Sequence, residues 1–277
     1  MRIIVAILVV VLAGIGYYLL KPEGRQLLDR ASINATRAEY QALFRAGKGL
    51  PGTPDLARLD ERLKTRGVSL GAPIFIRVFK LESELELWVQ KDGRFVRFAT
   101  YPICLWSGRL GPKLKEGDRQ APEGFYTVSA EQLNPNSRWH RSFNLGYPNA
   151  LDRSHGRTGS FLMVHGGCQS VGCFAMTDPA VDEIWRIVTA ALENGQVRFP
   201  VHAFPFRMTD RNLRLRRGQE WSGFWSDLKE GFDLFERTKL PPAVNVCKGR
   251  YAFEPGSIAT YAGLVEERCP PEVAVNP

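Results

Sequence analysis

Residues that commonly hold metal ions are scarce in this sequence. Four histidines and five cysteines occur in 277 residues, and the one dense group, His165, Cys168 and Cys173 in HGGCQSVGC, has no second tight pair to complete it. A structural zinc site needs four such ligands, often as two close pairs, so no metal is expected even with His155 as a fourth candidate. Helix-turn-helix, zinc-finger and aromatic RNA-binding signatures are missing too, which removes the usual nucleic-acid readers. Acidic residues are in deficit, 29 against 37 Lys and Arg, for a net charge of +8; such a field favours anionic partners or simply solubility. There is no internal repeat. With 44% hydrophobic and 24% charged residues, neither extensive disorder nor a multi-span membrane protein is indicated. The length suits one principal domain with appendages.

One long apolar run is present. Residues 3–20, IIVAILVVVLAGIGYYLL, carry no charge and lie between Arg2 and Lys21-Pro22. They suffice to cross a bilayer. A removable signal peptide has a shorter apolar region followed by a small-residue cleavage site, whereas the best candidate here, Val11-Leu12-Ala13, falls inside the run. Residues 1–22 are therefore expected to be a retained signal anchor, with a cleaved signal peptide as the alternative. No cysteine follows for lipid attachment. The remainder is expected to be exported, anchored to a membrane by residues 3–20. Five cysteines in an exported chain permit disulfides but leave at least one thiol unpaired. Cys247 and Cys269 could staple the Pro-rich tail, and Cys104, in TYPIC, reads as a buried strand residue.

Residues 23–72 look helical and polar, broken by Pro51, Gly52 and Pro54. They read as a stalk or preface without chemistry. From residue 73 short β-rich runs begin, at 74–80, 84–90 and 94–100, with Asp92-Gly93 as a hairpin turn. In the second run Leu85, Leu87 and Val89 share one face and Glu84 and Glu86 the other, where Trp88 joins them, and the run reads as a half-buried strand. Further strands are expected at 124–129, 160–164 and 197–206, with Pro200 pointing to an edge position for the last. Long loops rich in Gly, Pro, Asn and basic residues lie between, and aromatic residues such as Trp139 mark them as ordered loops around a site. A helix capped by Asp178, with Pro179 in its first turn, should carry Val181, Ile184, Trp185, Val188 and Leu192 on one face and stop at Asn194-Gly195. A second, over 220–237, has an aromatic stripe that should be core. Residues 241–277 look like a loose tail. The expected class is α+β, mainly β, with flanking helices and an N-terminal membrane anchor.

The HGGCQSVGC segment admits three readings: a metal site, a Cys168–Cys173 disulfide, or a nucleophile. Metal is disfavoured as above, and the short ring is open only if the glycine turn brings the two α-carbons within about 7 Å. A Cys–His pair fits better. An imidazole can remove a thiol proton to make a strong nucleophile, His165 ends an apolar strand, and a turn at Gly172 could present amides to an oxyanion. Cys173, with the glycine and helix-entry context, is the nucleophile expected; Cys168 is a small core or turn residue first, a redox partner second.

His165-Gly166 followed by Ser170-Val171-Gly172-Cys173 resembles the signature of YkuD-type L,D-transpeptidases, and blocks such as PIFIRVFKLESELELW, NPNSRWHRSFNLGYPN and VHAFPFRMT are similar to the YafK-like branch. The resemblance covers residues 73–209 and implies the YkuD-type catalytic fold there; residues 210–240, with their aromatic helix, are expected to pack on that domain. Carried over by position, it implies Cys173 as nucleophile, His165 as general base oriented by the Gly166 carbonyl, and Ser170 and Gly172 shaping the oxyanion hole. Val171 stands where a second histidine is common, and only seven residues separate His165 from Cys173. The implied reaction is acyl transfer on peptidoglycan stem peptides through a Cys acyl-enzyme, ending in crosslinking, attachment to an amine-bearing envelope protein, or hydrolysis; a non-enzymatic envelope-binding module is the rival. No cofactor is implied. Loop cations, with Arg109, Lys113, Arg119, Arg138 and Arg157 among them, and His140 are the candidates for holding stem carboxylates.

Overall fold

The computed structural model describes residues 11, 14, 16–19, 21–257 and 262–269. Most of the apolar run expected to be an anchor lies outside the described residues; among those described, no helix is long and apolar enough to cross a membrane. In chain order the elements begin with α1 (Pro22–Arg45), a 3-10 turn (Leu56–Arg58) and α2 (Leu59–Arg66). Strands β1 (Ile74–Phe79), β2 (Glu84–Lys91), β3 (Arg94–Pro102), β4 (Leu105–Trp106) and β5 (Gly124–Ser129) follow. Then come β6 (Leu133–Ser137), β7 (His140–Asn144), α3 (Ala150–Ser154), β8 (Met163–His165), β9 (Phe174–Ala175) and α4 (Asp178–Glu193). The chain continues through β10 (Arg198–Phe204), α5 (Asp210–Arg214), α6 (Ser222–Thr238), β11 (Ala243–Cys247), β12 (Arg250–Glu254) and β13 (Glu266–Glu267).

Two five-stranded sheets carry the fold, in the orders β3-β2-β1-β10-β5 and β4-β9-β8-β7-β6. Each is antiparallel except for one parallel pair, β1 with β10 and β8 with β9. The β2–β3 hairpin turns on Asp92 and Gly93, both at positive φ as a two-residue turn of this kind requires. All six residues of β1 are buried. Phe143 on β7 meets Phe199 on β10 with ring centroids 5.6 Å apart, and the α4 stripe of Val181, Ile184 and Val188 closes the same core. On the other side α6 sets Phe235 against Phe75 and Trp88, each at 4.9 Å.

That helix explains why β2 is not half-solvated as its alternation implied. Glu86 is buried. It accepts from Arg77 Nε (3.0 Å), Arg97 Nη1 (2.7 Å), Trp88 Nε1 (3.0 Å) and Arg207, while Arg77 lies over the Phe235 ring. A buried carboxylate is tolerable only when paired and hydrogen-bonded in this way. Pro200 is likewise not at an edge: β10 runs between β1 and β5. Its pairing with β1 starts at Val201, so the proline sits just before the stretch that needs ladder donors on that side.

Two further expectations are corrected. The tail is not loose through its described part: β11 and β12 form a hairpin, β13 lies parallel to β11, and Cys247 bonds Cys269 as the staple reading anticipated. Tyr251 from this hairpin is buried against Phe125 and accepts from Asn149 Nδ2 at 2.8 Å. Nor is α1 a stalk. Asp29 on α1 accepts from Arg216 Nε and Nη2 at 2.8 and 2.7 Å in a buried pair, Ile33 joins the main core, and the Arg37 guanidinium stacks 4.2 Å from the Trp106 ring centroid. One fully buried apolar side chain, with Tyr40 and Leu43 only half-buried against the Cys104–Cys168 cluster, leaves little periodic signal to tell a docked preface from a stalk.

Burial alone would raise the Glu86 carboxyl, but Arg77, Arg207 and Arg97 outweigh it and hold it at about 2. A depressed folded-state value contributes stability that is present above the unfolded value near 4.5 and lost as pH falls towards 2. The difference corresponds to about 3 kcal/mol. Denaturant unfolding from pH 7 down to about 2 should therefore show a smaller loss for Glu86→Gln than for the wild type, with the variant already destabilised by about 3 kcal/mol at neutral pH. Parallel pH curves for the two proteins would refute this.

Candidate active site

His165 and Cys173 reach one cavity from adjacent parallel strands. His165 is the last residue of β8, and Cys173 directly precedes β9, whose Phe174 pairs with Val164. Parallel strands usually need a crossover of a dozen or more residues. Here residues 166–173 suffice, because Gly167 (φ +82°), Cys168 (φ +46°) and Gly172 (φ +129°) take conformations that reverse the chain sharply. Gly166 is needed for a different reason: a Cβ there would lie 2.5 Å from Asp178 Oδ1. That carboxylate accepts from Gly167 N–H at 2.7 Å. Asp178 thus ties the turn down from the first residue of α4, and the position that flanks the helix as its cap is Thr177, a correction to the expected Asp178 cap.

The histidine is held from three sides. Its Nδ1 lies 2.6 Å from the Gly166 carbonyl. A carbonyl only accepts, so Nδ1 carries the proton and Nε2 keeps its lone pair. Trp139 stacks over the ring at 6.2 Å between centroids and 28° between planes, and Met176 N–H donates to the His165 carbonyl at 2.7 Å. Burial lowers the imidazole pKa, with the Gly166 bond opposing. At neutral pH the ring is uncharged and able to accept a proton.

Cys173 is the free cysteine. Its sulfur accepts from Met163 N–H at 3.4 Å and lies 3.6 Å from the Phe161 carbonyl. Burial raises the thiol pKa, against the Met163 N–H and the charge of Lys113, which lower it. The resting pair is therefore a neutral thiol with a neutral imidazole. Behind it, the Ser170 hydroxyl uses its full capacity: it donates to the Cys173 carbonyl (2.7 Å) and accepts from Gly172 N–H (3.2 Å) and the Ser107 hydroxyl (2.8 Å). Ser170 braces the turn. The Gly172 amide is already engaged there, which leaves it unavailable to an oxyanion in this state.

The cavity has a volume of about 590 Å³, and besides His165, Ser170 and Cys173 its walls include Trp139, Phe161, Met163 and Gln169. Cys168 also lines it but is bonded to Cys104. Cys104 is buried as expected, though between β3 and β4 rather than in a strand, and its disulfide removes Cys168 from any metal-ligand trio and leaves Cys173 no partner in Cys168. The six residues proposed to grip substrate do not line this cavity. Lys113 is bound to Asp118 (2.6 Å) and the Lys115 carbonyl (2.9 Å), and Arg157 is buried against Asp152 (2.9 Å). His140 Nε2 is 2.8 Å from Asp182 Oδ1. Arg119 is exposed, Arg138 lies over the Trp139 ring, and Arg109 lines a separate cavity of about 620 Å³ with Arg30 and Lys115. Sequence reasoning missed instead Gln41, Phe44 and Arg45 of α1, which close one side of the Cys173 cavity. Nothing local marks them, because their role comes from the docking of a helix more than a hundred residues away in sequence.

The L,D-transpeptidase catalytic-domain model named YkuD matches residues 75–202. YafK of Escherichia coli (strain K12), a candidate L,D-transpeptidase, is 47% identical over 182 residues, spanning 66% of this chain and 74% of that one. The O157:H7 strain's YafK matches to the same extent. The chain belongs to the YkuD L,D-transpeptidase family. Among solved structures, the helical cell shape determining protein Pgp2 of Campylobacter jejuni is 19% identical over 64% of this chain and 63% of that one, with a TM-score of 0.39, a distant likeness on which nothing further rests. Membership supports a transpeptidase-type function for the chain.

The neutral resting pair has a measurable consequence. Iodoacetamide should modify Cys173 alone in the oxidised protein, with a rate that rises with pH and a midpoint above that of an ordinary thiol. A midpoint well below the ordinary value would show a preformed thiolate and overturn this picture.

Proposed function

We propose that the protein forms an acyl-enzyme on Cys173 with peptidoglycan stem tetrapeptides and passes the acyl group to an amine. The observation that carries this reading is that one free thiol and a histidine whose tautomer presents Nε2 as a base line the same cavity. The Cys173 proton moves to His165 Nε2 as sulfur attacks the amide carbonyl at the L-centre of diaminopimelate. Because both groups rest neutral, the proton leaves as the S–C bond forms. The C–N bond then breaks, the imidazolium returns its proton to the departing D-alanine nitrogen, and a thioester remains. An incoming amine gives its proton to His165 while its nitrogen displaces sulfur, restoring the thiol. With the Gly172 amide held by Ser170, the Cys173 backbone N–H is assigned to the developing oxyanion.

The acceptor amine belongs to a second stem or to an envelope protein, and water in its place gives hydrolysis. Export to the periplasm with residues 3–20 in the inner membrane belongs to the same proposal. No step draws on a metal or an organic cofactor.

Intact-protein mass spectrometry with a tetrapeptide donor tests the reading. The wild type should gain the acyl mass less D-alanine, Cys173→Ala should gain nothing, and His165→Ala should acylate about 10²–10⁴-fold more slowly. A wild type that binds the donor without any adduct or product would identify a binding module instead. Analysis of the released products separates crosslinking from hydrolysis.

A further inference from the structure

The wall that α1 contributes to the Cys173 cavity brings with it a cation. Among the described residues lining that cavity, Arg45 carries the formal charge; the others are apolar, amide or hydroxyl side chains together with the neutral His165 and Cys173. None of them is acidic. Arg45 is exposed, in the last turn of α1, and has no ion-pair partner among the described residues.

The backbone that presents it is held on both sides. Upstream, the Asp29–Arg216 pair and buried Ile33 fix α1, and Arg37 Nη2 donates to the Gly108 carbonyl at 2.9 Å. Downstream, Leu50 is buried beside the Cys104–Cys168 disulfide, with Tyr40 and Leu43 packed on the same cluster. Gln41 and Arg45 are four residues apart, so both project from one face of the helix, and Phe44 beside them supplies an apolar surface. A guanidinium fork on a fixed helix, facing a cavity without a carboxylate, is built to receive one.

We propose that Arg45 binds a free carboxylate of the donor stem peptide and makes the enzyme specific for an acidic donor. The inference rests on the acyl-enzyme reading above and names the residue that selects its substrate. It also replaces the loop cations, whose charges are taken up by internal partners or lie outside the cavity, as the source of substrate recognition.

Acylation kinetics with a tetrapeptide donor, and with donors amidated at one carboxylate at a time, decide the matter. Arg45→Ala should raise KM about tenfold, the scale of one lost charge-assisted hydrogen bond, with kcat nearly unchanged and Arg45→Lys in between. One amidated donor should raise the wild-type KM by the same factor and be insensitive to Arg45→Ala. The thermal midpoint should stay at the wild-type value; if Arg45→Ala alone lowers it, Arg45→Gln provides the same comparison. An unchanged KM, or an equal effect of Arg45→Ala on every amidated donor, would overturn the proposal. If the wild type acylates with no donor, the acyl-enzyme reading fails instead. Calorimetric binding of the tetrapeptide to Cys173→Ala, with and without Arg45→Ala, still reads the Arg45 contact in that case: about tenfold weaker binding supports it, and equal binding refutes it.

Discussion

One hydrogen bond, from His165 Nδ1–H to the carbonyl of the following residue, decides which ring nitrogen carries the proton and which faces away with a free lone pair. It uses backbone rather than a carboxylate, so the imidazole is oriented without a neighbouring negative charge that would keep it protonated. Burial then lowers its proton affinity further. The bond can form only if the chain turns back at once after β8, and that turn exists because Gly166 leaves room for Asp178 while Gly167 and Gly172 take up positive φ. The β8–β9 pairing, the Asp178 tie and the Ser170 brace all serve to keep one carbonyl oxygen where the ring needs it.

Around that turn the protein uses buried charge to hold long loops still. Lys80, fully enclosed, donates to the Gly111 and Ala121 carbonyls and to Glu123, while Glu123 also accepts from Gly111 N–H and Trp225 Nε1. One ion pair thereby fixes the 108–121 loop to β1's end and to α6. Removing either partner would leave the other charge without compensation, so such pairs hold geometry more than they add net stability. The loop in turn places Gln120, whose carbonyl lies close behind Gly172.

Much of this was legible from local signals. Alternation and the Asp92-Gly93 turn marked β1 to β3, Pro179 and the Asn194-Gly195 stop bounded α4 closely, and glycines around a Cys–His group drew attention to residues 165–173. What escaped depends on distant partners. Glu86 looked solvent-facing because a glutamate on alternate positions normally is, and only Arg77, Arg97 and Arg207 converging from elsewhere bury it. Cys104 gave no hint of Cys168, 64 residues on. The helix α1 read as a stalk or preface since its docking relies on buried Ile33, the half-buried Tyr40 and Leu43, an ion pair and a stacked guanidinium, which together produce no strong periodic stripe.

The docking of α1 also sets a length. Its 24 residues span about 36 Å at 1.5 Å per residue, with the far end clamped through Asp29 and the near end at the cleft. A flexible linker would let the reactive sulfur sweep a volume; a clamped helix works as a ruler. The direction in which the chain enters α1 at Pro22 is therefore fixed relative to the cleft.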